Sequence, residues 1–144
     1  MRTRALGLLL LGLAAAASAA EERVVRFHSD VVINGDGSLT VTETIQVYAA
    51  GERIRHGIRR FFPIVLRDRL QQRSYGFKVL RVLRNGEKED YRVNTEERPD
   101  YATITIGSFG RELRKGEHTY TLTYQTTRHI RHFRDHDELY WNVN

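Results

Sequence analysis

Residues 34–47 read NGDGSLTVTETIQV, and this stretch decides the fold class. After the turn residues Asp36 and Gly37, apolar side chains alternate with threonine and glutamine, which is the period of a half-buried β-strand. Residues 25–33, before the turn, alternate in the same way. Alternation on both sides of an Asp-Gly turn predicts a β-hairpin.

The same two signals, alternation and glycine-containing turns, recur along the chain. They predict a second hairpin of residues 77–83 and 89–93 around Asn85-Gly86, and a third of residues 101–106 and 118–127 joined by residues 107–116. Strands at intervals of about ten residues are typical of sandwiches. We therefore expect an all-β domain, an antiparallel β-sandwich (immunoglobulin-like or related) of about 6–8 strands, preceded by a signal-peptide helix.

The first twenty residues differ from the rest and resemble an export signal. Arg2 and Arg4 precede a small and apolar run over residues 5–17, and Ala17-Ser18-Ala19 has the small-x-small pattern of a cleavage site. The alternative is an uncleaved anchor, but the run is shorter than the roughly 20 residues of a spanning helix. We predict a signal peptide over residues 1–20 and a domain over 21–144, exported to the periplasm or extracytoplasmic face.

Composition excludes several classes of protein. The 144 residues contain no cysteine, which excludes a disulfide scaffold, a thiolate zinc site and a cysteine nucleophile. The net charge is +5, and arginine dominates over lysine. Such a bias is typical of nucleic-acid partners, but export makes nucleic acid an improbable ligand. Guanidinium groups can instead recognise phosphate or carboxylate groups of the envelope.

The basic charge is concentrated in residues 51–73, which hold seven arginines against two carboxylates. A connection of this length is unusual in a compact domain and is often functional. The candidate anion or partner contacts are Arg53, Arg55, His56, Arg59 and Arg60. The alternative is a solvated loop held by Phe61 and Phe62. Because neighbouring side chains of an extended chain point in opposite directions, Arg59 and Arg60 are not expected to line one pocket together.

Two further clusters carry possible chemistry near the end of the chain. His129, His132 and His136 would share a face of a helix and could hold a metal, whereas an extended chain would separate them. Asp137 and Glu138 resemble a carboxylate pair, but adjacent side chains diverge and could not flank one bond. We expect no metal and no cofactor here. We expect instead a terminal strand with Leu139, Trp141 and Val143 on one face, in which Asp137 or Glu138 could pair with Arg59 or Arg60.

Three stretches in order carry a family resemblance: residues 36–44, residues 56–60 and residues 137–142, with residues 116–124 as a further strand. Together they resemble the N-terminal domain of the DUF2207 predicted membrane proteins. The motif positions are Asp36, Gly37, Gly57, Asp137, Glu138, Tyr140 and Trp141. The resemblance implies an extracytoplasmic β-rich domain followed by transmembrane helices, and it brings no catalytic residue. It also implies a longer protein that continues beyond Asn144.

The functional prediction is a binding or assembly module without catalysis. Its expected partners are an anionic envelope polymer, lipid headgroups or another envelope protein, and not nucleic acid, with the full-length protein tethered to the membrane. The alternatives are a metal-assisted hydrolase of the cell envelope that uses the three histidines and a soluble periplasmic ligand-binding protein.

Overall fold

The computed structural model describes residues 21–67 and 72–142, so the predicted signal peptide over residues 1–20 and Val143 lie outside the described residues. The described residues form strands and no helix. The strands are β1 (Arg23–Ile33), β2 (Leu39–Ala49), β3 (Gly57–Pro63), β4 (Val65–Arg67), β5 (Gln72–Ser74), β6 (Phe77–Arg84), β7 (Glu87–Lys88), β8 (Tyr91–Asn94), β9 (Tyr101–Gly107), β10 (Gly116–Thr126), β11 (Ile130–His132) and β12 (Asp137–Leu139).

Two antiparallel sheets make up the body of the domain. The larger has the order β1-β2-β10-β6-β7 and the smaller the order β3-β9-β8, while β4-β5 and β11-β12 are separate short hairpins. The first predicted hairpin is confirmed, with Ile33 paired to Leu39 and Gly37 at φ 77° in the turn. In β2 every second residue is buried, as the alternation predicted.

The hydrophobic core lies between the two sheets. The larger sheet contributes apolar side chains of β2, β6 and β10, and the smaller sheet contributes those of β3 and β9. The core residues are Leu39, Val41, Ile45, Val47, Phe62, Val82, Ala102, Ile104, Ile106, Tyr120, Leu122 and Tyr124. The predicted all-β antiparallel sandwich is therefore confirmed, with eight strands in its two main sheets.

The pairing predicted for the third hairpin is wrong. β9 pairs with β3 and β8 in the smaller sheet, whereas β10 pairs with β2 and β6 in the larger one. Ile104 of β9 and Leu122 of β10 are both buried in the core that the two sheets share. Alternation indicates only that one face of each strand is buried. Two strands that face each other across the core show the same alternation as two strands that are hydrogen-bonded in one sheet.

Two connections also differ from the prediction. The Asn85-Gly86 turn is confirmed, and both residues have positive φ. The strand that follows the turn is not continuous: β7 pairs with β6, whereas β8 belongs to the smaller sheet. Residues 51–73 are not one long loop, because they contain β3, β4 and part of β5. Most of the basic segment is therefore held in regular sheet structure.

Candidate functional site

An ion pair in the interior joins the two sheets. β3 turns Ile58, Arg60 and Phe62 toward the larger sheet, where Arg60 meets Glu43 of β2. The Arg60 Nε and Nη2 atoms donate to the two carboxylate oxygens at 2.8 Å each. Tyr124 Oη also donates to Glu43, at 3.0 Å. This bidentate pairing satisfies the hydrogen-bonding capacity of a carboxylate that is almost entirely removed from water.

The pKa shifts follow from burial and from this pairing. Burial lowers the pKa of Arg60, but the hydrogen bonds and the charge of Glu43 outweigh it, so that the pKa is raised overall. Burial raises the pKa of Tyr124, and the neighbouring Glu43 carboxylate raises it further. Arg60 is thus a cation and Tyr124 a neutral donor at all ordinary pH values, as a structural cluster requires.

A small cavity of about 100 Å³ adjoins the ion pair. Its walls are largely aromatic and include Phe62, Tyr75, Tyr124 and Trp141. Trp141 packs on Phe62 with ring centroids 5.9 Å apart, so the segment that follows β12 helps to close the core. The Glu43 carboxylate next to this cavity has hydrogen bonds from both Arg60 and Tyr124, and these bonds join the two sheets.

The predicted basic contacts fall into two groups. Arg60 lies in the interior, whereas Arg55 pairs with Glu112 at 2.5 Å and Arg59 with Glu97 at 3.1 Å on the surface. The opposite directions expected of Arg59 and Arg60 are confirmed. Arg53 is exposed, and among the described residues its side chain has no ion-pair partner. Arg53, Arg55, His56 and Arg59 therefore remain as surface residues.

Two loops meet at one end of the sandwich, and we call residues 50–56 and 108–115 the basic pole. The Leu113 N–H donates to the Arg55 carbonyl at 2.7 Å. The His56 ring lies 5.8 Å from that of Phe109, whose side chain is 80% exposed. The sequence predicted the connection over residues 107–116, but neither its position beside residues 50–56 nor a part in the candidate site.

Buried or backbone-bound carboxylates hold both loops in place. Glu22 accepts hydrogen bonds from the backbone N–H groups of residues 50, 52, 53 and 54. Desolvation raises the pKa of Glu22, but these four donors outweigh it and lower the pKa to about 2. In the second loop, Arg111 pairs with the buried Glu89 at 2.6 Å. The loops are thus fixed before any ligand arrives.

The remaining family-motif residues have structural roles. Asp36 accepts hydrogen bonds from the Ser38 N–H and hydroxyl at 2.9 and 2.6 Å in the first turn. Gly57 stands where the backbones of β3 and β9 approach closely. Tyr140 lies under the guanidinium of Arg131, 4.7 Å from it.

The predicted ion pair between the terminal carboxylates and Arg59 or Arg60 is wrong. Asp137 lies 2.8 Å from His132, its neighbour across the β11-β12 hairpin, while Arg60 pairs with Glu43 of β2 and Arg59 with Glu97 of the connection between β8 and β9. The terminal segment forms its own hairpin, and this register keeps its polar side chains together.

The three histidines do not converge. His129 is buried, with Nε2 2.9 Å from Thr126 Oγ1 and Nδ1 3.2 Å from the Tyr140 carbonyl. His132 and His136 are exposed beside Asp137 and Asp135. Within residues 21–67 and 72–142, no group of three or more histidine or acidic side chains could hold a metal ion.

The buried His129 makes stability depend on pH. Desolvation lowers its pKa below 6.5, although its contact with the Tyr140 carbonyl acts in the opposite direction. The unfolded chain therefore binds a proton more readily, and stability falls as the pH decreases below about 6.5. We expect the urea midpoint to decrease between pH 7 and pH 5. His129→Gln should remove this part of the slope and His132→Gln should retain it, and equal slopes in both variants would contradict the assignment.

Residues 23–144 match the family model described as predicted membrane protein (DUF2207), N-terminal domain. No curated protein and no solved structure matches the chain. In the described part of the chain, no helix has the length and apolar character needed to cross a bilayer.

Proposed function

Because the chain belongs to the DUF2207 family of predicted membrane proteins, we propose that it is the extracytoplasmic binding or assembly module of a membrane-tethered protein and performs no catalysis. The family description supports the membrane attachment. The signal-like residues 1–20 support export, and the satisfied Glu43–Arg60 pair offers no reactive group. The three histidines lie apart, so a metal-assisted hydrolase finds no support in their positions.

The observation that carries the proposal is the basic pole. Its two loops hold five basic residues against two carboxylates, a net charge of +3, which the bound Glu22 reduces to +2. Arg53, Arg114 and Lys115 are exposed, and no ion pair engages their side chains among the described residues. Exposed and unpaired positive groups, carried on loops that Glu22 and Glu89 hold in place, attract anionic partners and speed their association.

A charge-removal variant tests the pole. Replacing Arg53, Arg55 and Arg114 with glutamine should weaken binding of the purified protein to isolated cell-envelope fractions by about tenfold, from roughly 0.5 kcal/mol for each exposed charge. The remaining binding should depend less on salt concentration, since exposed charges are screened. Arg60 is left intact because its role is in the interior. The measurement is cosedimentation at several salt concentrations.

The matched control removes three positive charges elsewhere. Lys78 and Arg81 are exposed on β6, beside the last residues of β10, and Arg134 is exposed in the turn between β11 and β12, so all three lie away from the pole. Glutamine at these positions should leave envelope binding nearly unchanged. If both triple variants bind equally, net charge and not the pole determines the interaction, and the proposed contact surface is wrong.

A further inference from the structure

Two neighbouring depressions lead from the basic pole across the smaller sheet. Two depressions, of about 150 and 490 Å³, lie side by side and share Arg59, Thr105, Gly107, Ser108 and Phe109 in their walls. The first begins at the pole and the second continues across β9 and β8. The shared residues lie between the two depressions, which follow one another from the pole across the smaller sheet, and we call the two together the trough. Its shape suits an extended chain better than a compact molecule.

Polar side chains line the far part of the trough. Arg92 and Asn94 of β8 pair in register with Thr105 and Thr103 of β9, so these four side chains share the outer face. Arg92 is exposed and has no ion-pair partner in the part of the chain that the structure describes. Thr103 is buried, and Asn94 Oδ1 already accepts from the N–H groups of residues 96 and 97. The Thr105 hydroxyl, the Asn94 amide N–H groups and the Arg92 guanidinium are left to exchange hydrogen bonds with a polyhydroxylated ligand.

A buried hydroxyl group and two carboxylates also belong to the walls of the trough. Thr103 Oγ1 is buried without a hydrogen-bond partner among the described residues. The carboxylates of Asp90 and Glu97 also line the trough, and Glu97 is occupied by Arg59. The far part is thus close to neutral but rich in hydrogen-bonding groups, while the pole supplies the positive charge.

Phe109 provides an aromatic surface where the two depressions join. Its ring is the most exposed of the large apolar side chains and stands beside the His56 ring. An exposed aromatic ring next to polar groups can stack on the apolar face of a sugar ring while the sugar hydroxyls contact the neighbouring side chains. Arg53 lies at the same end of the trough and can pair with an acidic substituent.

We propose that this trough binds an extended anionic glycan, with Phe109 stacking on a sugar ring, Arg92 and Asn94 contacting hydroxyls, and Arg53 contacting a carboxylate or phosphate. The inference rests on the proposed function, because such polymers are met outside the cytoplasm. A concave trough lined by hydroxyl and amide groups does not match a flat lipid surface. It therefore favours the polymer among the possible anionic partners.

The direction of β10 supports the same choice. This strand begins at the pole and extends eleven residues to the opposite end of the sandwich, about 35 Å away at the usual rise per residue. The chain then continues through β11 and β12 toward its C-terminal side, and the family model describes an N-terminal domain of a membrane protein. In the proposed arrangement, where the membrane part follows this N-terminal domain, the pole lies at the end opposite to the attachment and can reach polymers beyond the membrane surface.

Calorimetric titration with defined oligosaccharides tests the inference. The purified full chain should bind galacturonic acid oligomers, whose rings each carry a carboxylate, and should bind neutral dextran oligomers more weakly. Phe109→Ala and Arg92→Gln should each weaken binding of the acidic oligomers by about tenfold. The matched controls are Phe133→Ala and Arg81→Gln, which remove an exposed phenylalanine and an exposed arginine outside the trough and should bind as the unmodified protein does.

Three outcomes would overturn the inference. The first is no binding of the acidic oligomers, and the second is equal losses in the trough and control variants. The third is binding of polyphosphate or of phosphatidylglycerol vesicles that is tighter than oligomer binding and insensitive to Phe109→Ala, which would assign a simple anion patch or a lipid surface. If any of these occurs while the triple arginine variant still loses envelope binding, the proposed function survives and only the glycan assignment fails.

Discussion

Replacing Glu43 with alanine is expected to lower the free energy of unfolding by about 3–5 kcal/mol. The carboxylate is 5% exposed and the Arg60 side chain 23%, so the variant would leave a guanidinium largely buried without its counter-charge. Tyr124 would also lose the acceptor of its hydroxyl group. Urea unfolding followed by circular dichroism measures the loss. A variant that is already partly unfolded without urea would also agree with the prediction.

The neighbouring arginine supplies the control. Arg59 is next in the chain, belongs to the same strand and also pairs with a glutamate, but both partners are more than half exposed. Exposed pairs contribute less than about 1 kcal/mol, so Arg59→Gln should change stability little. The double replacement Glu43→Met with Arg60→Leu should recover most of the stability lost in Glu43→Ala. Equal effects of Glu43→Ala and Arg59→Gln would show that the interior pair does not stabilise the sandwich.

The sequence predicts the strands well because each strand has one buried face. Alternation identified β2 and β10, and the two turns at Asp36-Gly37 and Asn85-Gly86 have the positive φ angles that glycine allows. Pairing between distant strands could not be predicted in the same way. Residues of β9 and β10 have the same period whether the strands are neighbours in one sheet or face each other across the core.

For the candidate site, the sequence predicted the directions of side chains but not their partners. Alternation correctly predicted that Arg59 and Arg60 point to opposite faces of their strand. Their partners, Glu97 and Glu43, could not be predicted because they depend on which distant segments the topology brings together. One signal for Glu43 was present, since a carboxylate among the inward residues of β2 requires a buried partner. Phe109 gave no such signal, because an aromatic residue in a short glycine-rich connection predicts neither exposure nor a groove.

The second large effect is expected at Gly57, where β3 meets the end of β9. Gly57 has φ 145°, and a Cβ atom added there would lie 1.8 Å from the carbonyl oxygen of Ile106. Gly107, its partner in the register, has the same relation to the His56 carbonyl at 1.9 Å. Neither neighbour is a flexible side-chain end, so the backbone itself must move. Gly57→Ala should therefore destabilise the protein by more than about 3 kcal/mol, the upper part of the range for strained backbone sites.

Gly35→Ala is the matched control, because Gly35 has no positive φ and an added Cβ would meet nothing within 4 Å. Its effect should stay within about 0.5 kcal/mol. The close approach at Gly57 also fixes the start of β3 beside the basic pole, so thermal unfolding and envelope binding should both be measured for Gly57→Ala. We expect the variant to lose binding together with stability, since the 50–56 loop leads directly into this contact. An alanine at Gly57 that is tolerated as well as one at Gly35 would mean that β3 and β9 do not approach as described, and the placement of the pole would have to be revised with them.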